Sequence, residues 1–283
     1  MSQKLLLVDG HNLLFRSFYG IPVRIPGTDG NSIHGVVGFI GTLIRTLACF
    51  EPTHLLVVFD HEDCSFRTEI DENYKNQLVE PERREADAAF FPQLATLKQS
   101  FAFIDWRYAE VPGLEADDII AAYAGFYESD AEIIIVSSDS DLLQLVKPGV
   151  SVLAPNGKQP VLYGSAEVEA KFGVPPKYIP DLKALTGDKS DNLTGVPGIG
   201  PKRASELIQN LGGVAEIFER TEEIQSKTIA DLLIAHRERI IRNLSMTRLD
   251  YQVELPFSLS ELAISPGSRQ CRTMDLLRQA GIV

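Results

Sequence analysis

Short apolar runs alternate with segments of helical apolar spacing in the first half of the chain. The predicted strands are Lys4–Val8, His54–Phe59, Glu132–Val136 and, more weakly, Phe101–Tyr108. His34–Phe50 and Leu114–Tyr127 place apolar residues three and four positions apart, as an amphipathic helix does. Strands that alternate with helices predict an α/β fold with a mostly parallel central sheet, covered by helices on both faces.

The strand signals fade from Pro175 onward. Helices are predicted at Lys177–Thr186, Pro201–Leu211 and Ser226–Leu249, with proline in the favoured first position of the second. Gly187–Gly200, between the first two, is rich in glycine and proline. The pattern predicts a smaller helical module that begins near residue 175.

The alternation of predicted strands and helices is interrupted after the second strand. Residues 61–100 contain nine acidic and five basic residues, a net charge of −4, and have helical character. An insertion of this length in a compact α/β unit is usually functional or mobile. We therefore expect it to serve the site rather than the core.

Composition narrows the class of protein. The chain has 283 residues, of which 44% are hydrophobic, enough for one large or two modest domains. No apolar run reaches the roughly 18–20 residues needed to span a bilayer, and the N-terminus does not resemble a secretory signal. Three scattered cysteines suggest reduced thiols, so we expect a cytoplasmic protein without membrane partners. The net charge of −12 argues at first against a nucleic-acid partner.

Acidic residues follow the predicted strands. Asp9, Asp60 and Asp139 each come at a strand end, and the carboxyl ends of parallel strands meet at one edge of a sheet. Further acids lie at a helix start, beside Asp139 and in the glycine-rich segment: Glu115, Asp117, Asp118, Asp141, Asp188 and Asp191. Taken singly, such residues also serve as turn formers, helix caps or partners of a helix dipole. Those roles do not explain why every major strand ends in an acid.

Clustered carboxylates repel one another unless a cation neutralises them. Mg²⁺ prefers oxygen ligands, and two such ions about 4 Å apart serve phosphoryl transfer. The five histidines show no ligand spacing. The acids therefore predict a divalent-metal site.

The string Val196-Pro-Gly-Ile-Gly200 precedes a helix that begins Pro201-Lys202-Arg203. Glycines allow a close backbone approach, and a helix N-terminus with two cations favours a phosphate. A simple turn between helices remains the alternative.

Five ordered strings carry a family resemblance. They are LLVDGHNLLFRSFYG, VVFD with SFR and YK after it, GLEADDIIAAYA, SSDSDLLQLV and ALTGDKSDNLTGVPGIGPKRA. The chain resembles the bacterial and phage 5′ nucleases, close to the 5′-nuclease domain of DNA polymerase I and related to flap endonucleases. The resemblance runs from Leu5 to about Arg248 and is to a stand-alone form.

The resemblance implies two divalent ions, Mg²⁺ or Mn²⁺, with a third in debate. The first would be held mainly by Asp9, Asp60, Glu115, Asp117 and Asp139, with Asp118 also in the family's set. The second would be held mainly by Asp139, Asp141, Asp188 and Asp191. Nine of the negative charges are then metal ligands, which removes most of the objection to a nucleic-acid partner.

It also implies contacts with DNA. Arg67 and Lys75 would touch the scissile phosphate at the base of a helical arch, residues 61–100. Arg16 and Tyr19 would belong to a strand-separating helix, and a helix–three-turn–helix module at about Asp181–Leu211 would grip duplex. The expected DNA contacts there are Gly198, Gly200, Lys202 and Arg203, and the carbonyls of Leu193, Val196 and Ile199 would bind K⁺.

The expected organisation is a nuclease core over residues 1–174, a helical module over 175–250 and a C-terminal segment, 251–283, that packs back on the core. The expected activity is that of a structure-specific 5′ nuclease, both exonuclease and flap endonuclease, that leaves 5′ phosphates. Its partners would be DNA with 5′ flaps, nicks or 5′ ends, and the protein would be a monomer. The arch departs from the family because NQLVEPERREADAAFF is acidic, so a DNA junction-binding protein that does not cleave is the alternative.

Overall fold

The computed structural model describes residues 3–61, 66–71, 74, 81–104, 106–155, 159–269 and 272–283. Its strands are β1 (Gln3–Asp9), β2 (His54–Val58), β3 (Arg107–Ala109), β4 (Ala131–Val136), β5 (Val150–Ala154), β6 (Val161–Tyr163), β7 (Gly187–Asp188) and β8 (Leu193–Thr194). Its first helices are α1 (Gly10–Gly20), α2 (His34–Phe50), α3 (Phe66–Ile70), α4 (Pro81–Ser100), α5 (Ala116–Phe126) and α6 (Ser165–Phe172). The later ones are α7 (Ile179–Thr186), α8 (Pro201–Leu211), α9 (Val214–Glu219), α10 (Lys227–Ala235), α11 (Arg237–Thr247), α12 (Pro266–Arg269) and α13 (Thr273–Gln279).

Within these residues, β1 to β6 form one sheet in the order β3-β2-β1-β4-β5-β6. Every pairing is parallel except that of β6, which runs antiparallel to β5. β1 lies between β2 and β4, and the side chains of all three are mostly buried because helices cover both faces of the sheet. The α/β class with a mostly parallel sheet is confirmed, and the three strands that precede the acids are neighbours.

Each face of the sheet has its own core because side chains alternate along a strand. Leu6 and Val8 of β1 face a core shared with α1, α2 and α13. Leu5 and Leu7 face the opposite core, which continues through α5 into α7, α8 and α11. The helical module is therefore packed against one face of the sheet and shares its hydrophobic core.

Two predicted elements are wrong in part. In Phe101–Tyr108, residues 101–103 form a 3₁₀ turn closed by a hydrogen bond from the Ile104 amide to the Phe101 carbonyl, 3.2 Å, and β3 begins at Arg107. The aromatic residues of this segment resembled a strand, although only Phe101 and Trp106 of them are buried. The predicted helix Ser226–Leu249 is two helices, α10 and α11, that meet at His236. The pattern gave no sign of the break because Leu233 and Ile240, seven positions apart, are both buried.

The second half of the insertion is a helix held by the core. Phe90, Leu94 and Leu97 of α4 are buried in the same core as α1 and α2. Gln93, which is also buried, accepts a hydrogen bond from the Gly35 amide at 2.8 Å. The side chains of residues 81–87 and several preceding residues lie outside the described part of the chain. The arch, and the passage of a single DNA strand through it, therefore stay predictions.

The helical module joins α7 to α8 through the hairpin β7–β8. Gly187 has a φ of +78°, and a Cβ there would meet the Leu193 carbonyl oxygen at 2.5 Å, so the two backbones can touch only through glycine. Asn243 of α11 is fully buried and donates to the carbonyls of Ala184, 3.2 Å, and Thr194, 3.0 Å. This side chain ties α11 to both α7 and the hairpin.

The C-terminal residues contact the core. Ala263 forms an isolated bridge with His54 at the start of β2, and the Ile264 amide donates to the Thr53 carbonyl at 3.0 Å. α13 packs on α2. Among the described residues, no helix has the length and apolar character needed to cross a membrane.

Candidate active site

Asp9 is the last residue of β1 and the N-cap of α1. Its carboxylate accepts hydrogen bonds from the Asn12 amide at 3.0 Å and from the Ser137 hydroxyl at 2.8 Å. Burial raises the pKa of Asp9 to about 7, and repulsion by Asp60 and Asp139 adds to that rise. Asp9 is therefore a buried carboxylate surrounded by like charge.

Asp60 lies two residues beyond the end of β2. Its Oδ1 accepts from the Ala116 amide at 2.8 Å, and its own amide donates to Nδ1 of His11 at 3.0 Å. The first bond places the N-terminus of α5, with Glu115 as N-cap and Asp117 in its first turn, beside Asp60. The acids that end β1 and follow β2 thus lie at one edge of the sheet, with the N-terminus of α5 beside them.

Asp139 interacts electrostatically with two groups of acids. It raises the pKa of Asp9 on one side and that of Asp141 on the other. Its Oδ1 accepts the Asp141 amide at 2.9 Å, which fixes the turn after β4. Asp139 therefore links the two predicted metal positions.

The second group lies where the core meets the hairpin. Asp141, Asp188 and Asp191 offer ligand oxygens that all lie within 4.8 Å of one another. Among the described residues no other set of three meets that spacing, so the carboxylate oxygens of Asp9, Asp60 and Asp139 do not all lie that close to one another. Burial raises the pKa of Asp141 to about 7.

Lys183 of α7 is buried within this second group. Its Nζ contacts Oδ1 of Asp141 and lies 2.7 Å from Oδ2 of Asp188. Burial lowers the pKa of Lys183, but the neighbouring carboxylates, led by Asp141, outweigh burial and raise it above its ordinary value. Burial raises the pKa of Asp188, but Lys183 and the hydrogen bonds from Ser190 lower it by more. The pKa of Asp188 is therefore below its ordinary value.

Arg67 and Asp118 form a buried ion pair that adjoins the first group of acids at Glu115. The guanidinium of Arg67 makes two parallel bonds to Asp118, 2.7 and 2.8 Å, and its side chain is 2% exposed. It also donates to the carbonyls of Met246, 2.8 Å, and Arg248, 2.9 Å, and Oε1 of Glu115 lies 3.3 Å away. Arg67 and Asp118 thus contact each other, and both side chains are buried.

The remaining predicted site residues lie around the acids. Tyr19 is exposed, with its ring 4.5 Å from that of Phe15, while Arg16 lines a cavity between α1 and α2. Lys202 and Gly200 are exposed at the start of α8, and the Arg203 guanidinium donates to the Gly198 carbonyl at 2.5 Å. The Val196 carbonyl accepts the Ile199 amide at 3.0 Å, and Leu193 pairs with Asp188 in the hairpin. Lys75 lies outside the described residues.

Sequence reasoning missed the residues that hold the acids in place. Ser137 and Asn12 bond Asp9, and the Asn12 side chain also accepts the Ser138 amide at 3.0 Å. Tyr74 donates to Glu115 at 3.4 Å and packs with Leu193 and Met246. Polar residues directly beside the acids, in DGHN and SSDSD, were the available signal for the first two.

The raised pKa of Asp9 predicts a pH-dependent stability in metal-free protein. Its folded value of about 7 lies above the ordinary 3.8, so between these values the folded state binds more protons than the unfolded chain. Its contribution is therefore favourable at low pH and lost as pH rises to about 7. Asp9→Asn in EDTA should raise Tm by several degrees more at pH 7.5 than at pH 5. Thermal unfolding monitored by circular dichroism measures this, with Asp130→Asn as control, and an equal shift at both pH values would contradict it.

A parallel sheet with carboxylates at one edge, followed by two helices joined by a glycine hairpin, offers oxygen ligands of the kind that hold divalent ions in enzymes of phosphoryl transfer. Two family models match the chain in succession. Residues 4–173 match the 5′–3′ exonuclease N-terminal resolvase-like domain, and residues 174–270 match the 5′–3′ exonuclease C-terminal SAM fold. The chain belongs to the 5′–3′ exonuclease family.

Curated relatives include two DNA polymerases I. That of Rhizobium leguminosarum is 35% identical over 271 residues, covering 93% of this chain and 26% of the relative. That of Bacillus caldotenax is 35% identical over 288 residues, covering 99% and 32%. The chain spans about a quarter to a third of the length of these relatives.

Solved structures share the fold. The T5 D15 protein co-crystallized with metal ions has a TM-score of 0.74 at 23% identity, covering 98% of this chain and 100% of that one. The catalytic core of Rad2 in complex with DNA substrate has a TM-score of 0.57 at 14% identity, covering 99% and 92%. The predicted resemblance is confirmed, and so is the α/β nuclease fold with its helical module.

Proposed function

We propose that this chain is a structure-specific, metal-dependent 5′ nuclease that hydrolyses DNA at 5′ flaps, nicks and 5′ ends and leaves 5′ phosphates. The observation that carries the proposal is the convergence of acids from β1, β2, α5, β4 and the hairpin on one edge of the sheet. Family membership supports the reaction class, and the co-crystallized relatives support metal and DNA as ligands of this fold.

The residues present fit divalent metal. Asp141, Asp188 and Asp191 supply hard oxygen ligands at a spacing that a single ion can span. Burial and repulsion by Asp60 and Asp139 raise the pKa of Asp9, so a cation bound beside it would stabilise the charged carboxylate. Mg²⁺ or Mn²⁺ bound there would polarise the phosphate and lower the pKa of water. We propose two such ions per chain, with a third as the alternative.

The chain's own residues orient these ligands. Asn12 and Ser137 hold Asp9, the Ala116 amide holds Asp60, and the Asp139 carboxylate accepts the Asp141 amide. Each ligand is thus fixed by a backbone or hydroxyl donor before metal arrives, which reduces the reorganisation needed at the site. The buried Arg67–Asp118 pair positions α5, and contact of Arg67 or Lys75 with the scissile phosphate stays a prediction.

The helical module is proposed to hold the duplex. The N-terminus of α8 offers free amides, and Lys202 adds an exposed cation beside them. The Arg203 guanidinium donates a hydrogen bond to the Gly198 carbonyl and so restricts the motion of the same turn. K⁺ bound by the carbonyls of the loop would join this grip, and Tyr19 would stack on a base near the junction.

A labelled 5′-flap duplex incubated with Mg²⁺ should yield products that carry a 5′ phosphate, and EDTA should abolish them. Gel electrophoresis of the labelled strand measures this. An unflapped single strand of the same sequence is the control and should be cut more slowly. Binding without cleavage in Mg²⁺ and in Mn²⁺ would contradict the proposal and favour a junction-binding protein.

Replacing both Lys202 and Arg203 by alanine should weaken duplex binding uniformly across sequences. Each lost phosphate contact reduces the number of released counterions, so the slope of log Kd against log salt should fall by about 1–2. Fluorescence anisotropy in Ca²⁺ over a series of KCl concentrations measures the slope. Arg278→Ala, at an exposed cation of α13, is the control, and an unchanged slope in the double variant would argue against the grip.

A further inference from the structure

The ammonium of Lys183 lies where a cation is expected. Its Nζ contacts Asp141 and is 2.7 Å from Oδ2 of Asp188, so it bridges two of the three carboxylates that define the second acidic group. The side chain is 11% exposed, which is unusual for lysine unless it is paired. A surface lysine that lies near an acid only by chance would be more exposed to solvent.

The contact between Lys183 and Asp141 joins two parts of the fold. Lys183 is on α7, and Asp141 is in the turn after β4, so the ion pair joins the helical module to the sheet. Asp188 follows α7 directly, in the hairpin. Three carboxylates and one ammonium leave a net charge of −2, so Lys183 neutralises only part of the charge of the group.

We propose that Lys183 is an internal counter-ion of the second metal position, which holds Asp141 and Asp188 together in metal-free protein and is displaced from them when a divalent ion binds. The inference rests on the proposed function, because it concerns that function's second metal position. It deepens that proposal by assigning a role to a residue outside the predicted ligand set.

The physical reason for displacement is competition for the same oxygens. Mg²⁺ binds carboxylate oxygen at about 2.0–2.1 Å, closer than the 2.7 Å that separates the Lys183 ammonium from Oδ2 of Asp188. A positive charge left beside those oxygens would repel the ion. Metal affinity is therefore set by exchange of one cation for another, and the metal-free site avoids the repulsion of three bare carboxylates.

Manganese binding tests the proposal without any cleavage reaction. Lys183→Met keeps the length of the side chain and removes the charge, so the tightest Mn²⁺ site measured by isothermal titration calorimetry should gain at least roughly tenfold in affinity. Tm in EDTA should fall, and the gain in Tm from Mn²⁺ should exceed that of wild type. Adding Asp191→Asn should remove the gain in affinity, because that ligand belongs to the same position.

Lys147→Met is the matched control, since Lys147 is ion-paired with Glu128, outside the acidic groups. It should leave Mn²⁺ affinity unchanged. Unchanged or weaker affinity in Lys183→Met would overturn the proposal and leave Lys183 a structural ion pair. Failure of wild type to bind Mn²⁺ at all would instead contradict the proposed function.

A measurement on wild type keeps the proposal testable should Lys183→Met not fold. Reductive methylation followed by mass spectrometry reports how accessible each lysine amine is. Ca²⁺ or Mn²⁺ should increase labelling of Lys183 several-fold and leave Lys147 unchanged. Labelling of Lys183 that does not rise with metal would show that its ion pairs persist, and the displacement would be wrong.

Discussion

Asp139→Ala is expected to reduce Mg²⁺-dependent cleavage of a 5′-flap duplex by at least roughly a thousandfold. Asp139 influences both Asp9 and Asp141, so it lies between the two acidic groups. Loss of its carboxylate would weaken both proposed metal positions and would also release the Asp141 amide that it accepts. Single-turnover cleavage rates measured with enzyme in excess report the chemical step.

The control for this variant replaces an acid at the opposite end of the same strand. Asp130 is exposed and directly precedes β4, at the end opposite Asp139, so Asp130→Ala should cleave at the wild-type rate. Flap binding in Ca²⁺ should persist in Asp139→Ala, since the proposed duplex grip lies in α8. A cleavage rate within tenfold of wild type would contradict the central role of Asp139.

Arg67→Met is expected to destabilise the protein by about 3–5 kcal/mol, because it leaves the Asp118 carboxylate buried without its cation. It also removes the donor to the carbonyls of Met246 and Arg248, so the end of α11 loses its link to α5. Urea unfolding followed by circular dichroism measures the free energy of unfolding. The double variant Arg67→Met with Asp118→Leu should recover much of the loss, since the Asp118 carboxylate is then no longer buried without a cation.

An exposed ion pair provides the comparison. Arg242 lies 3.5 Å from Asp71 with its side chain 44% exposed, so Arg242→Met should cost less than about 1 kcal/mol. If Arg67→Met costs no more than this control and yet abolishes cleavage, the structural role is wrong. The predicted contact of Arg67 with the scissile phosphate would then be favoured.

The elements that could be predicted are those whose signal is local. Pro201 marks the start of α8, and apolar spacing gives α2 with both of its ends. The strand-end acids were found because strand order in a parallel sheet places their ends together. Short elements with mixed patterns, such as β5, β6 and α6, gave no clear signal and were not predicted.

The long-range contacts could not be predicted. Arg67 and Asp118 are 51 positions apart, and the carbonyls that complete the guanidinium's bonds come from α11 and the residue after it. Nothing in the composition around Lys183 shows that its side chain turns toward Asp141. Such pairings depend on how α7 and α11 pack on the sheet, which local spacing does not encode.

The second acidic group draws its ligands from both sides of the boundary between the two family models. Asp141 belongs to the first model's residues, while Lys183, Asp188 and Asp191 belong to the second's. Recombination at that boundary would therefore pair a carboxylate from one parent with a counter-charge from another. The metal affinity of such a chimera would test whether the carboxylates and the lysine of two different parents fit one another.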